Sequence, residues 1–370
     1  MKMNFNSAYS GKRVLITGHT GFKGSWLCCW LLKMNAVVIG LSDKIPTQPS
    51  IFEVLNLENK IEHHKGDVRN LDDIKPLIKK YKPDFIFHLA AQPLVSVSYQ
   101  NPLETLSTNI LGASVLLEAI REIDHPCAVV MVTSDKCYEN NEWVWGYRET
   151  DAMGGKDIYS ASKGAAELVF KAYFQSFFSR PDTPIRLATG RAGNVVGGGD
   201  WSKDRIIVDC IRSWTNAKPV EIRSPNSTRP WQHVLEPLSG YLALAASLYA
   251  EAPINGESFN FGPKSEQNRT VVELIEDLAV QWGFGDAKEA YFITSNTSYA
   301  EAELLKLNCD KAHSKLKWQS NLEYDECVRL LSDWYKKYYS SENGNMFEFT
   351  ISQIASYEDR AQDRLISWAK

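Results

Sequence analysis

Tyr159 and Lys163 stand four residues apart in Tyr159-Ser-Ala-Ser-Lys163, and Ser134-Asp135-Lys136 precedes them in the chain. A helical turn takes about 3.6 residues, so the phenol and the ammonium share one helix face. A nearby ammonium lowers a phenol's pKa, and a phenolate can take a proton from a bound hydroxyl near neutral pH. The spacing alone recurs on many surface helices. Its weight comes from Ala128-Val-Val-Met-Val-Thr133, an apolar run that reads as a strand and would present Ser134, Asp135 and Lys136 at its end. In isolation these three could be a turn cap and a solvated ion pair. At the end of a central strand beside a nucleotide site, they become an acid–base set.

Such a site is signalled near the N-terminus. Gly18-His-Thr20-Gly21-Phe22-Lys-Gly24 follows Val14-Leu-Ile and precedes the helix-like Ser25-Trp-Leu-Cys-Cys-Trp-Leu-Leu. Strand, glycine turn and helix are the context of a dinucleotide-binding turn. Gly18 makes the bend, Gly21 admits a pyrophosphate, and Gly24 lets helix and strand pack closely. The free N–H groups at the helix start complete an anion site. Asp43 follows a second apolar run, about 20 residues past the turn. A carboxylate there accepts from both ribose hydroxyls and repels a 2′-phosphate, which favours NAD over NADP. Asp67, in Gly66-Asp67-Val68, either bonds the adenine amine or caps the next turn, and both readings stay open. Leu89-Ala90-Ala91 ends another strand and is small enough for close cofactor approach.

The elements that must position these groups follow from periodicity. Apolar runs at 14–16, 37–41, 84–89, 128–133 and 184–189 alternate with helical patterns at 71–81, 103–123 and 158–178. The alternation predicts an α/β fold, a Rossmann-type doubly wound parallel sheet with right-handed crossovers. After Arg191 the texture changes. Residues 197–199 read as loop, 206–217, 237–250 and 271–282 as helices, 258–261 as a short strand, and 351–368 as a polar helix. We expect residues 1–190 to form the NAD-binding Rossmann domain. Residues 191–370 should form a smaller mixed α/β substrate-binding lobe, with segments returning to the first domain and the site in the crevice between them.

Composition excludes other classes. The chain has 370 residues, 44% apolar and 23% charged, ordinary for a globular protein. A net charge of −4 supplies no basic stripe for nucleic acid. No apolar leader core is visible at the N-terminus, and the longest strongly apolar run, 26–32, is far short of a membrane span. Seven cysteines without Cys-x-x-Cys spacing suggest neither a disulfide framework nor a metal site. We expect a cytoplasmic protein with no metal, nucleic-acid or membrane partner.

From Gly11 to about Trp334 the chain resembles the extended short-chain dehydrogenase/reductase family, and within it the sugar-nucleotide 4,6-dehydratases. The carriers are Gly18-His-Thr-Gly-Phe-Lys-Gly24, His88-Leu-Ala-Ala-Gln92, Thr133-Ser-Asp-Lys-Cys-Tyr138, Tyr159-Ser-Ala-Ser-Lys163, Arg191-Ala-Gly-Asn-Val-Val-Gly197 and Arg229-Pro-Trp231. Related dTDP- and GDP-sugar dehydratases carry Asp-Glu after the hydroxyl residue. Here Lys136 follows Asp135, a departure that matches the CDP-glucose branch and leaves the usual glutamate base without a counterpart. The resemblance implies bound NAD, CDP-glucose as substrate, a 4-keto-6-deoxy product for deoxysugar and O-antigen biosynthesis, and a homodimer or homotetramer paired through helices 103–123 and 158–178. It makes Tyr159 the base at the 4-hydroxyl, with Ser134 bonding the same oxygen and Lys163 holding the nicotinamide ribose. Asp135 becomes the acid for the departing C6 oxygen, and Lys136 the candidate base at C5. Arg229 would grip the substrate diphosphate and Asn194 its nucleotide side, with Arg191 and Arg205 as further cations. Trp201 and Trp231 are stacking surfaces or core, and Asn109 is a structural bridge at a helix kink.

Three other readings share parts of this pattern. Another sugar-nucleotide dehydratase would differ in the nucleobase. A sugar-nucleotide 4-epimerase would use the glycine turn, Tyr159 and Lys163, but needs no acid–base pair for elimination. A non-catalytic dinucleotide-binding sensor would need neither the tyrosine nor the lysine.

Overall fold

The computed structural model describes residues 5–264, 267–294, 304–340 and 344–369. Seven strands form one sheet: β1 (Arg13–Thr17), β2 (Val37–Ser42), β3 (Glu62–Lys65), β4 (Phe85–His88), β5 (Cys127–Val132), β6 (Ile185–Arg191) and β7 (Ser258–Asn260). Their order is β7-β6-β5-β4-β1-β2-β3. Every neighbouring pair is parallel. Such strands are covered on both faces and read as continuous apolar runs, as in buried Phe85-Ile-Phe87. The order reverses between β1 and β4, and the crevice at the carboxyl ends of those strands is where open α/β sheets take ligands.

Helices cover both faces. α1 (Phe22–Lys33) buries Trp26, Cys28, Cys29 and Trp30. α2 (Leu71–Tyr81) is capped by the Asn70 side chain, which accepts from Asp72 N. α3 (Pro102–Ile120) runs through a π turn at Ser107–Leu111. Within that turn Asn109 accepts from Gln92 N (2.8 Å) and donates to Gln92 O (3.1 Å) and Ser162 Oγ (2.8 Å). The amide thus ties α3 to the strand-end loop and to α4 (Ile158–Tyr173), which itself ends in a π turn at Phe174–Phe178.

The second half of the chain adds α5 (Ile206–Trp214), α6 (Leu235–Tyr249), α7 (Val271–Trp282), α8 (Tyr324–Tyr339) and α9 (Met346–Asp363). α6 is buried nearly all round and packs beneath β5 and β6. Thr270 and Glu273 form a reciprocal capping box at the start of α7. The last helix begins earlier than the polar pattern suggests, because Asn345 supplies its cap by accepting from Phe347 N and Glu348 N. α9 returns to α1, where Glu358 accepts from Trp30 Nε1 (2.7 Å) and pairs with Lys33. Trp368 stacks on Phe5 and Tyr357. All seven cysteines are free thiols.

Candidate active site

The glycine turn is built for close approach. Gly18 has φ +77°, and a Cβ there would lie 2.7 Å from Ala90 N. The turn after β1 therefore rests directly on the loop after β4. Thr20 Oγ1 donates to Lys44 O (2.7 Å), pinning the turn to the segment after β2. α1 starts behind Gly21 with no capping side chain, so its first N–H groups lack the usual hydroxyl or carboxylate partner. Asp43 is exposed after β2, with Lys44 Nζ 3.5 Å away. Asp67 takes the form of the turn-capping alternative: it accepts from Arg69 N (2.9 Å) and is gripped by the Arg69 guanidinium. Val68 is buried under Gly112 of α3.

β5 delivers the acid–base residues. Its chain leaves the sheet at Thr133 and turns into a single 3₁₀ turn, Asp135–Cys137, capped by Ser134. Ser134 Oγ donates to Asp135 Oδ1 (2.9 Å) and accepts from Lys136 N (3.3 Å). Asp135 is buried and its Oδ2 lies against Gly193, where a Cβ would come within 1.8 Å of that oxygen. Lys136 is half-buried.

α4 carries Tyr159 and Lys163 one turn apart, its start fixed by Asp157, which accepts from Ser160 N (2.9 Å). The spacing predicted a phenol lowered by its lysine. The structure departs from that: burial pushes the Tyr159 phenol up to about 12, and Ser134 offsets only part of the rise. The Lys163 ammonium lies 5.9 Å from the phenol ring centroid. Burial brings the lysine itself down to about 8. It makes no hydrogen bond or ion pair with the described residues, so its donors are available to a ligand hydroxyl.

Arg191 corrects the expectation of a substrate cation. It is 1% exposed and fully engaged inside the protein. Its guanidinium donates to Glu167 Oε1 (2.9 Å) and Oε2 (2.7 Å), and its third nitrogen donates to Tyr138 Oη (2.7 Å). Burial alone would raise the Glu167 carboxyl, but the Arg191 charge and donated bonds hold it below the ordinary range. Glu167 also accepts from Thr133 Oγ1, from Thr189 Oγ1 (2.9 Å) and from Ser258 Oγ (3.2 Å). The network joins α4 to β5, β6 and β7, so it holds Tyr159 and Lys163 in place. Glu167 continues the Tyr159–Lys163 stripe at a second four-residue step, a signal the sequence already contained.

A cleft is lined by Asn194, Gly197, Asp200, Arg205 and Trp231, among others. Arg229 lies one residue before Pro230, on a two-residue strand paired with Arg269–Thr270, and donates to Thr228 O (2.9 Å). Trp201 is core: it packs on Trp334, Tyr335 and Tyr338. Sequence reasoning passed over Lys23. Burial brings it to about 8, with Arg205 as the next cause and Asp135, Lys163 and Asp200 also acting on it. Lys23 therefore belongs to the charge field of the site.

A parallel dinucleotide-type sheet with a Ser–Tyr–Lys set at its carboxyl edge defines the short-chain dehydrogenase/reductase class. The profile described as GDP-mannose 4,6 dehydratase matches residues 15–331, and the chain belongs to that family. It is 47% identical over 338 residues to the CDP-glucose 4,6-dehydratase of Salmonella typhimurium, covering 90% of this chain and 93% of the relative. It is 25% identical to the CDP-paratose 2-epimerase of Salmonella typhi, covering 87% and 98%. Among solved structures it resembles the dTDP-glucose 4,6-dehydratase of Bacillus anthracis in complex with NAD, with TM-score 0.73, 20% identity and coverage of 88% and 97%. The UDP-glucose 4-epimerase of Thermotoga maritima gives TM-score 0.76 at 20% identity, covering 89% and 100%.

Proposed function

We propose that the protein is an NAD-dependent hydro-lyase that converts CDP-D-glucose to CDP-4-keto-6-deoxy-D-glucose. One observation carries the reading: a buried carboxyl, Asp135, is bonded to Ser134 in the same site as Tyr159 and Lys163. An epimerase needs the tyrosine–lysine pair, whereas loss of water needs an acid beside it. The 47%-identical relative, a CDP-glucose 4,6-dehydratase, supports the choice of nucleobase.

The residues fit a dinucleotide. Gly18, Thr20, Gly21, Phe22 and Gly24 form the turn for its pyrophosphate at the uncapped start of α1. Asp43 would accept from the adenosine ribose, Asp67 and Val68 would border the adenine, Leu89, Ala90 and Ala91 would flank the path inward, and Lys163 would donate to the nicotinamide ribose. When bound, NAD supplies a hydride acceptor at C4 and a donor at C6. Tyr159 takes the 4-hydroxyl proton, and Ser134 steadies the same oxygen. A phenol raised by burial waits protonated until positive charge is brought near it. Asp135 gives its proton to the departing C6 oxygen, and Lys136 removes the proton from C5. Arg229, Arg205 and Asn194 hold the diphosphate and nucleotide, while Arg191 acts on none of these atoms.

Exposed apolar side chains on α3 and α4 support a homodimer through those helices: Leu103 is 80% exposed and Leu168 is 59% exposed. Seven free thiols suit a reducing cytoplasm. The test is incubation with CDP-, dTDP-, UDP- and GDP-glucose, reading product mass and nicotinamide absorbance. We expect loss of one water from CDP-glucose with no net NADH. An isomer of unchanged mass, or NADH accumulating in step with product, would replace this reading with an epimerase or a simple dehydrogenase.

A further inference from the structure

Gln232 lies behind the acid–base set, on the two-residue strand Gln232–His233 paired with Val195–Val196. Its side chain is 2% exposed. Its Nε2 donates to Gly193 O (2.9 Å) and Phe261 O (3.2 Å). Two carbonyl acceptors fix which end of the amide is nitrogen. The other end, Oε1, is buried and has no partner among the described residues. Buried acceptors are rarely left so, and an internal water is the usual partner.

Beside Gln232 is a cavity lined by Asp135, Gly193, Pro230 and Lys306, which reaches the surface at exposed Lys264. It has room for about one water. Of Ser134, Asp135, Lys136, Tyr159 and Lys163, only Asp135 lines it. The two carboxyl oxygens divide: Oδ1 takes the Ser134 bond, and Oδ2 faces Gly193.

We infer that this cavity holds one ordered water, bound to Gln232 Oε1 and Asp135, and that Asp135 regains its proton through it. The inference rests on Asp135 being the acid of the proposed reaction. In the elimination the C5–H bond breaks, its proton passing to Lys136 and later returning to C5, and its electron pair forms the C5–C6 double bond. The C6–O bond breaks with its pair on oxygen, and Asp135 protonates that oxygen, leaving water and a carboxylate. Tyr159 meanwhile holds the proton from the 4-hydroxyl and must release it. One proton leaves at Tyr159 and one enters at Asp135, so the cycle closes. The cavity water hands a proton to Oδ2 and is recharged from solvent on the Lys264 side. Gln232 is a positioning residue in this scheme.

Two measurements test it. A crystal structure of the unmutated protein, at a resolution that places waters, should contain one within hydrogen-bond distance of Gln232 Oε1 and Asp135 Oδ2. A dry cavity overturns the inference even if variants fail to fold. Gln232→Met removes the acceptor at similar size, and its thermal midpoint reports folding. In rapid-quench experiments with CDP-glucose it should release one equivalent of product per site at the unmutated rate, because the first turnover does not draw on the return path. Later turnovers should then slow by roughly tenfold or more. An unchanged steady rate with no burst overturns the inference and returns the proton through Ser134 instead. Asp135→Asn separates the two levels: elimination at the unmutated rate would remove the acid assignment itself, whereas slowed elimination preserves it.

Discussion

Glu167 and Asp135 are carboxylates buried to the same degree, 3% and 4% exposed, at the same end of the sheet. Around Glu167 both oxygens are occupied by Arg191 and by the hydroxyls of Thr133, Thr189 and Ser258. Around Asp135 there is one hydroxyl donor, a glycine with no room for a Cβ, and a cavity. Lys163, one turn before Glu167, likewise makes no hydrogen bond or ion pair with the described residues. Low dielectric strengthens every bond that is made and raises the cost of each one that is not. The first cluster uses this to lock α4 to three strands. The second leaves bonding capacity for a substrate whose charges change during reaction. Burial alone therefore does not mark a functional charge; burial with vacant bonding capacity does.

Breaking the reactive cluster should give the largest effect. Tyr159→Phe should lower turnover by at least the ~10²–10⁴ typical of one acid–base group, with an unchanged thermal midpoint. A large shift in midpoint would mean that the phenol belongs to the scaffold. Breaking the scaffold cluster should do the opposite. Arg191→Met strands a buried carboxylate and should cost about 3–5 kcal/mol of stability in denaturant titration. The double variant with Glu167→Gln should recover much of that loss, since neither charge then remains. If Arg191→Met folds normally but loses only substrate affinity, its assignment to the scaffold is wrong.

Lys136→Met sharpens the comparison within the reactive set. With substrate deuterated at C5, washout into water should collapse while oxidation at C4 continues. Undiminished washout would move the base elsewhere. The smallest effect concerns the scaffold's neutral groups. Burial holds His19, His88 and His233 down at about 3. The unfolded chain takes up protons from about 6.5 downward. Between those values the unfolded state binds more protons, so stability falls as pH falls. The slope reaches up to about 1.4 kcal/mol per pH unit for each histidine. His88→Gln should remove one histidine's share of that slope, measured as stability between pH 6.5 and pH 4.5. An identical slope would mean that His88 is already charged in the folded state.

Much of the sheet was legible because parallel strands covered on both faces are largely apolar, as β1, β2, β4 and β5 are. β3, Glu62-His-His-Lys, is not, because it lies at the sheet edge. The kink at Asn109 was legible from its motif. The phenol of Tyr159 was misjudged because a four-residue spacing reports proximity to Lys163 and says nothing about desolvation, which dominates. Arg191 misled for a related reason: its neighbour Asn194 lines an open cleft, while Arg191 itself is the last residue of β6 and points into the protein. Gln232 gave no sequence signal, since its role depends on Gly193 and Phe261, brought to it only by the folded chain.

The return of α9 to α1 has a consequence for biosynthesis. Trp30 meets Glu358 across a sequence separation of 328 residues, so the contact forms only after that whole stretch has been translated. The outer face of α1 therefore stays bare while the intervening residues are made. Domains otherwise tend to fold N-terminal first as they emerge. The dinucleotide half is thus made well before the helix that seals it. Pulse-labelled nascent chains should stay open to protease cleavage near α1 until α9 has emerged, and early protection there would show that the helix is stable without its late partner.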